Sequence, residues 1–388
     1  MGKKRKAKIP QSARELTADW FTKVIGLKYD GVVQDVETEV IGEGVGFLGE
    51  LHRCNLKWSD GSSGPNSVIV KFPSMIKKNR ALGEVLGSYE REIYVYKEMV
   101  GRLGVVTPEF IYGDLDPHPA PWLETFVLYL CDKLPVGGVS WVFNRVLFIG
   151  AHSPRKYLLM IEDIPDARAP SQAVGGSMDD ALAGLDILAK FHAHNWMDRT
   201  KIENPIIWSV GRSPKLVQAS YRRNREAFVA RFGEAIGPEI IAKMDEIQAN
   251  FSDYNASLEK SPWTLIHGDY RLDNLLFRPE GATVLLDWQA LAWGRAGWEV
   301  TYFITTALEP HHKKEEELML KQYHKVLVES GVADYDYSDL LKDVATSKIM
   351  LAHRMVAADD LLDTAKDNGE IALVDLLVTR VVGWIDPG

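Results

Sequence analysis

The sequence predicts an α+β fold in two lobes, an N-terminal antiparallel sheet with one packed helix and a C-terminal lobe that is mainly α-helical. The 388 residues are more than one compact domain usually contains. Strand-like runs separated by turns dominate the first part of the chain, and helical spacing of apolar residues dominates the second. We therefore expect a flexible basic tail over residues 1–11, an N-terminal lobe over 12–163 and a C-terminal lobe over 164–388.

Composition limits the classes of partner. The net charge of −9 argues against a general nucleic-acid role, and the basic run Met1–Lys8 is typical of a solvated tail. No run of eighteen apolar residues occurs, so no membrane-spanning helix is expected. Cys54 and Cys131 have no partner at metal-ligand spacing, and we interpret them as free buried thiols of a cytoplasmic protein.

The N-terminal lobe has a recognisable order of elements. Ser12–Glu15 has the form of a capping box and predicts the start of a helix. Three strands should follow, at Val32–Ile41, Phe47–Trp58 and Ser67–Phe72. The turn between the first two contains Gly42, Gly44 and Gly46, which would let backbone amides approach phosphate groups. A plain hairpin turn explains these glycines equally well.

The interval from Gly113 to Lys156 is long for a connection between strands. We interpret residues 114–156 as an insertion and leave two alternatives open. It either carries short strands of its own, at Glu124–Leu130 and Val142–Ile149, or forms a flap over the binding site for the second substrate.

The most informative stretch is Trp263–Gln289. It contains a strand end, a polar loop over residues 267–274, and two apolar runs around Pro279–Gly281 that predict a hairpin. Such a hairpin returns Asp287 to the neighbourhood of Asn274. Two carboxylates and one carboxamide, from Asp269, Asn274 and Asp287, would then face a point that can hold magnesium and nucleotide phosphates.

These residue types suit phosphoryl transfer to an alcohol. The reaction needs a carboxylate that orients the acceptor hydroxyl and takes its proton, and we assign this role to Asp269. It also needs oxygen ligands for a hard cation, and Asn274 and Asp287 supply them.

The interval from Asp269 to Asn274 equals that of the protein-kinase catalytic loop. With His267-Gly268-Asp269 before it and Asp287-Trp288 after it, the stretch resembles the aminoglycoside phosphotransferase and choline kinase superfamily. Within that superfamily it is similar to the ecdysteroid-kinase-like and acyl-CoA-dehydrogenase-associated branches. The resemblance implies a bilobal protein-kinase-like fold, ATP and Mg²⁺, and a small-molecule hydroxyl group as acceptor.

The resemblance also implies roles for residues outside the loop. Lys71 ends the third strand where kinases place the lysine that holds the nucleotide phosphates. Its acidic partner would be Glu92, with Glu90 as the alternative. The hinge that contacts adenine would be Ile161, Glu162 and Asp163. Glu299 stands where the family usually has the aspartate that supports the catalytic loop, which puts the geometry there in question.

The residues expected nearest the transferred phosphate are largely aromatic or amide-bearing. They are Tyr270, Arg271, Trp288, Gln289 and Trp293. Aromatic walls favour a largely apolar alcohol. The acidic stretch Asp359–Asp363 keeps an aminoglycoside or choline-like amino alcohol as the alternative.

The sequence also bears on two other protein classes and on three further histidines. A protein kinase is disfavoured because Gly268 replaces the usual arginine, and a pseudokinase because Lys71, Asp269, Asn274 and Asp287 are all present. His192 is interpreted as a core histidine, and His311-His312 as a helix start.

Overall fold

The computed structural model describes residues 7–41, 48–117, 126–127, 129–131, 133–358 and 373–385. Its N-terminal part is built on a five-stranded antiparallel sheet with the strand order β1-β2-β3-β5-β4. The strands are β1 (Val33–Ile41), β2 (Gly49–Trp58), β3 (Ser67–Pro73), β4 (Phe110–Leu115) and β5 (Tyr157–Glu162).

Two small sheets lie in the C-terminal part. One has the order β6-β10-β7 and the other is the hairpin β8-β9. Their strands are β6 (Trp208–Ser209), β7 (Thr264–Ile266), β8 (Leu275–Phe277), β9 (Thr283–Leu285) and β10 (Ala292–Gly294).

Helices make up most of the rest of the described chain. In chain order they are α1 (Ala18–Ile25), α2 (Lys77–Val85), α3 (Ser88–Tyr94), α4 (Val136–Ala151), α5 (Met178–His194), α6 (Pro214–Ile236), α7 (Pro238–Ala249), α8 (Phe251–Ser257), α9 (Ala296–Ala307), α10 (Glu316–Glu329), α11 (Tyr337–Ala358) and α12 (Leu373–Gly383).

The N-terminal core forms between α1 and the sheet. Trp20, Phe21 and Ile25 pack against sheet residues such as Val70 and Met160. The predicted capping box at Ser12 is wrong, because its side chain caps no helix and only a short 3₁₀ turn follows. Helix α1 begins later, where the Thr17 hydroxyl accepts the Trp20 backbone N–H at 3.2 Å.

The apolar residues Tyr89, Ile93, Tyr96, Val100 and Leu103 recur at helical spacing and predict one helix, which is present but irregular. After α3 the chain continues as a π-helical turn over Val95–Met99 and a 3₁₀ turn over Val100–Arg102. Four of the five residues of the predicted apolar stripe are buried, namely Tyr89, Ile93, Tyr96 and Leu103. The buried face is therefore the one predicted, although the winding of the helix changes along it.

The insertion is helical where the structure describes it. Val142–Ile149, predicted as a strand, lies inside α4, and the described residues of the other predicted strand, Phe126, Val127, Tyr129 and Leu130, are also helical. Val139, Val142 and Phe143 are buried at helical spacing, a pattern that a short apolar run shares with a strand. Helix α4 packs against α2 and α6.

In the C-terminal core, helices pack around the polar loop over residues 267–274. Ser177 and Asp180 form a capping box at the start of α5, and α5 packs against α10. The described residues of the last hundred positions form mainly the helices α10, α11 and α12, as the helical periodicity of this part predicts. The predicted bilobal α+β fold is confirmed. In the described part of the chain, we find no helix with the length and hydropathy of a membrane span.

Candidate active site

The predicted catalytic loop joins β7 to the hairpin β8-β9. A 3₁₀ turn over Leu272–Asn274 leads into β8, and β9 runs back to Asp287. The Leu286 backbone N–H donates to the Asn274 carbonyl at 2.9 Å. The Nε2 of His267 bonds to the Leu286 carbonyl at 2.7 Å. The hairpin therefore returns Asp287 to Asn274, as the sequence predicts.

Asp269 is held by three donors. Its Oδ1 accepts the Tyr302 hydroxyl at 2.8 Å, and its Oδ2 accepts Arg271 Nε at 3.1 Å and Asn274 Nδ2 at 3.3 Å. Burial favours a higher pKa for Asp269, but the charge of Arg271 and the Tyr302 hydroxyl outweigh it and hold the pKa below its ordinary value. The carboxylate is therefore ionised at neutral pH and oriented by fixed donors.

Asn274 and Asp287 offer oxygen atoms suited to magnesium. The Asn274 amide nitrogen donates to the Asp269 carbonyl at 2.8 Å, which leaves the side-chain oxygen of Asn274 as its ligand atom. Asp287 has a left-handed backbone with φ of 61°, and its Oδ1 lies 3.3 Å from Lys71 Nζ. Among the described residues, no cluster of three or more histidine, cysteine, aspartate or glutamate side chains could hold a metal. Two protein ligands suit Mg²⁺, which keeps water and phosphate oxygens as its other ligands.

Lys71 and Glu92 form the predicted ion pair. Lys71 Nζ lies 2.8 Å from Glu92 Oε1, and the Glu92 side chain is buried while that of Lys71 is nearly so. Burial and the nearby Asp287 raise the pKa of Glu92, and the charge of Lys71 offsets part of that shift. Glu90, the alternative partner, instead pairs with Arg155.

Glu299 makes the contacts to the loop backbone that are expected of the aspartate usually found at this position in the family. Its Oε2 accepts the His267 backbone N–H at 2.9 Å, and its Oε1 accepts the Gly268 N–H at 2.6 Å. His192, fully buried, contacts Glu299 Oε2 at 3.1 Å and the Tyr323 hydroxyl at 2.7 Å. His192 is thus the core histidine that the sequence predicts. It contacts Glu299, which in turn holds the backbone of the predicted catalytic loop.

The loop requires glycine at position 268. Gly268 has φ of +84°, and a Cβ there would lie 2.1 Å from the Ala290 carbonyl oxygen. A side chain at this position would push the loop away from the segment that follows Asp287.

We expect Glu299→Ala to lower the free energy of unfolding by about 3 kcal/mol, because it strips the His267 and Gly268 amides of their acceptor and leaves Nε2 of the buried His192 without its partner. It should also lower kcat at least roughly 10-fold, because the loop that carries Asp269 loses its anchor. Chemical denaturation and steady-state kinetics measure the two effects. Glu317→Ala, at an exposed glutamate of α10, is the control. Unchanged stability and turnover would remove Glu299 from this role.

The residues predicted to face the acceptor are not all placed to do so. Trp288 is fully buried, with its ring 4.8 Å from His267 and 5.7 Å from Phe191, so it is a core residue and not a pocket wall. Tyr270 is buried too and donates its hydroxyl to the Gly184 carbonyl. The aromatic side chains flanking the loop therefore pack inward.

The three remaining candidates differ in exposure. Arg271 is buried and ion-paired with both Asp269 and Asp273, so it orients the Asp269 carboxylate and is not available to an anionic substrate. Gln289 is buried next to Glu92. Trp293 is half-buried and packs on Trp263, with ring centroids 5.4 Å apart.

The predicted hinge residues lie at the end of β5. The Asp163 carboxylate accepts Arg53 Nε at 2.8 Å and the Ser67 hydroxyl at 2.7 Å. Glu162 accepts Arg278 Nη2 at 3.1 Å, which joins the end of the N-terminal sheet to the hairpin β8-β9. A role of these residues and of Ile161 in binding adenine stays a prediction. Gly42, Gly44, Gly46 and the stretch Asp359–Asp363 lie outside the described residues.

Two residues of the site were missed from the sequence. Tyr302 lies one helical turn after Glu299 on α9, and that spacing is the signal that could have identified it. Arg91 donates from Nη1 to the Gln289 carbonyl at 2.6 Å and from Nε to the Ile206 carbonyl at 2.8 Å. Its guanidinium lies 4.6 Å from the centre of the Trp208 ring.

A cavity of about 630 Å³ lies beside this arginine contact. Helices α2, α4 and α6, strand β6 and the end of α11 contribute to its wall. Most of the lining side chains are apolar, including Leu82, Val127, Phe143, Val146, Trp208 and Leu216. The helix of the insertion therefore forms one side of this cavity.

Known proteins resemble this chain at two levels. The model of the ecdysteroid kinase-like family matches residues 151–333, which include the catalytic loop and Asp287. A comparison with curated proteins finds no match.

Solved structures of similar fold include phosphotransferases. Amicoumacin kinase hAmiN, in complex with AMP-PNP, Ca²⁺ and Ami, is 10% identical, with 89% of this chain and 86% of that chain covered and a TM-score of 0.50. Spectinomycin phosphotransferase APH(9)-Ia, in complex with ADP and spectinomycin, is 11% identical, with 95% and 97% covered and a TM-score of 0.50. Choline kinase LicA from Streptococcus pneumoniae is 12% identical, with 94% and 96% covered and a TM-score of 0.47.

The first two of these likenesses concern the fold, since the identities are low. The resemblance predicted from the sequence is confirmed: the chain has the fold of the kinase-like small-molecule phosphotransferase superfamily, and its residues 151–333 match the ecdysteroid kinase-like family.

Proposed function

We propose that this protein is an ATP-dependent kinase that phosphorylates a hydroxyl group of a small, largely apolar molecule. The observation that carries the proposal is the contact of Asp287 with Lys71 at 3.3 Å, next to the bond between Leu286 and Asn274. It joins the lysine for nucleotide phosphates, the two metal-ligand candidates and the catalytic loop in one site.

The chain's own residues have defined parts in the reaction. Lys71, fixed by Glu92, would bind the ATP phosphates, and Asn274 and Asp287 would hold Mg²⁺, which would neutralise charge on the phosphates. Asp269 accepts a hydrogen bond from the acceptor hydroxyl and orients its oxygen. That oxygen bonds to the γ-phosphorus, the bond from this phosphorus to the bridging oxygen breaks, ADP departs and the hydroxyl proton passes to Asp269.

The cavity supports an apolar acceptor. Strand β6, which forms part of the cavity wall, pairs with β10, and β10 pairs with β7. Trp208, Ala292 and Ile266 therefore lie side by side. Two interstrand spacings, roughly 10 Å, separate the cavity wall from the strand that precedes His267. The contact from Trp208 through Arg91 to Gln289 is a second connection to the segment after Asp287.

Charge disfavours the aminoglycoside alternative. The described residues that line the cavity include three arginines and one glutamate, namely Arg155, Arg212, Arg354 and Glu84. A polycationic antibiotic would need carboxylates in the wall to replace the water around its ammonium groups.

The test is a turnover measurement with ATP labelled in its γ-phosphate. We expect sterol-like, acyl or aromatic alcohols to be phosphorylated with a higher kcat/KM than kanamycin or choline. An amino alcohol or aminoglycoside as the better substrate would overturn the acceptor class. Magnesium-dependent nucleotide binding without transfer to any alcohol would favour a pseudokinase.

A further inference from the structure

Among the residues that the structure describes, Arg354 in the cavity wall has no carboxylate partner. Arg354 of α11 donates from Nη2 to the Val210 carbonyl and to Asn255 Oδ1, both at 2.8 Å. Its guanidinium lies 4.8 Å from the centre of the Trp298 ring. Within the described parts of the chain, Arg354 Nε has no hydrogen-bond partner although it is buried.

A buried guanidinium with only neutral partners is costly, because it has given up water without gaining an opposite charge. Burial alone lowers the pKa of Arg354 to about 10, so the group is still charged at neutral pH. Arg155, in the same wall, is different, since it pairs with Glu84 at 3.0 Å and with Glu90.

We propose that the cavity binds an amphipathic molecule whose apolar body fills the cavity and whose anionic group pairs with Arg354. Guanidinium binds carboxylate, sulfate or phosphate oxygens through parallel hydrogen bonds, and an unsatisfied Nε is a donor for such a pair. The inference rests on the proposed function in one respect, that this cavity receives the acceptor.

The shape of the cavity agrees with such a ligand. Ile149 of α4 both lines the cavity and is 66% exposed, so the cavity reaches the surface beside the insertion helix. Arg354 belongs to the opposite part of the wall, where α11 meets β6 and α8. An elongated molecule could therefore place its anionic end at Arg354 while its chain runs between α4 and α6.

The inference is tested by equilibrium binding, measured calorimetrically, of ω-hydroxydodecanoate and its methyl ester. The two probes share chain and hydroxyl and differ in charge. We expect the acid to bind the wild-type protein roughly 10- to 100-fold more tightly, the usual range for a charge-assisted hydrogen bond. Arg354→Gln should abolish this preference, and Arg354→Lys should keep part of it. Lys342→Gln, at an exposed lysine on the same helix and outside the cavity wall, should change nothing.

Equal binding of acid and ester to the wild-type protein would overturn the inference, as would an unchanged preference in a folded Arg354→Gln variant. If that variant does not fold, the wild-type comparison and Arg354→Lys still decide. Val146→Trp, which fills the cavity from α4, should weaken both probes, and undiminished binding in that variant would place the ligand elsewhere. Phosphorylation of the ester without preference for the acid would leave the proposed function standing, but it would show that the ligand needs no anionic group. Binding of the acid without phosphate transfer to any alcohol would do the reverse.

Discussion

Asp269→Asn should lower kcat by roughly 10²–10⁴-fold, the usual effect of losing a general base, while the affinity for ATP stays nearly unchanged. The substitution keeps the size of the side chain but removes the charge that orients the acceptor hydroxyl. The contacts of Lys71, Glu92 and Asp287 do not involve Asp269, so the nucleotide should still bind. Single-turnover kinetics and an ATP titration separate the two effects.

Two comparisons make the Asp269 experiment specific. Asp179→Asn, at an exposed aspartate in the first turn of α5, changes the same group outside the site and should leave kcat as it is. Because Arg271 and Tyr302 hold the pKa of Asp269 below its ordinary value, kcat should not titrate with this carboxylate between about pH 5 and pH 8. Near-wild-type turnover in Asp269→Asn would contradict the assignment.

Tyr302 should act as a positioning residue for Asp269. The two side chains are 33 positions apart in the chain and meet only because α9 packs beside the catalytic loop. Arg91 and Gln289, whose carbonyl accepts its hydrogen bond, are separated by even more of the chain, 198 positions. Contacts over such separations leave no pattern in the sequence of the loop itself, and the one signal for Tyr302 is its spacing of one helical turn from Glu299.

Features fixed by local chain chemistry were predictable. The return of Asp287 to Asn274 depends on a short turn between two apolar runs, and both are visible in the sequence. The choice of Glu92 over Glu90 depends on the edge of the apolar face of one helix, together with the resemblance of Glu92 and Tyr96 to the family's Glu-x-x-x-Tyr pattern. The spacing that these predictions used lies within about one element.

Ambiguous patterns account for the errors. Trp288 follows a metal-ligand candidate directly, a position that suits a pocket wall and a core residue equally well, and the structure buries it against His267. Val142–Ile149 is an apolar run of a length common to strands and buried helices. Its partners, α2 and α6, decide the outcome, and the run itself does not identify them.

Asp287→Ala should abolish phosphate transfer and make ATP binding largely independent of magnesium. Asp287 is the only carboxylate among the two protein ligands that we assign to the metal, and an amide oxygen alone holds Mg²⁺ poorly. Lys71 would keep its pair with Glu92 at 2.8 Å, so a positive charge would remain for the phosphates. ATP titrations with and without magnesium, beside activity assays, measure both effects.

Asp253→Ala, at an exposed aspartate of α8, serves as the control and should preserve both activity and the magnesium dependence of ATP binding. Asp287→Asn separates charge from shape, because it keeps one oxygen in place and should retain a weakened magnesium dependence. An Asp287→Ala protein whose ATP affinity still rises with magnesium as in the wild type would show that another residue holds the ion. Asn274 and Asp269 adjoin the same loop, and the bond from Asn274 Nδ2 to Asp269 Oδ2 at 3.3 Å makes Asp269 the next residue to substitute in that case.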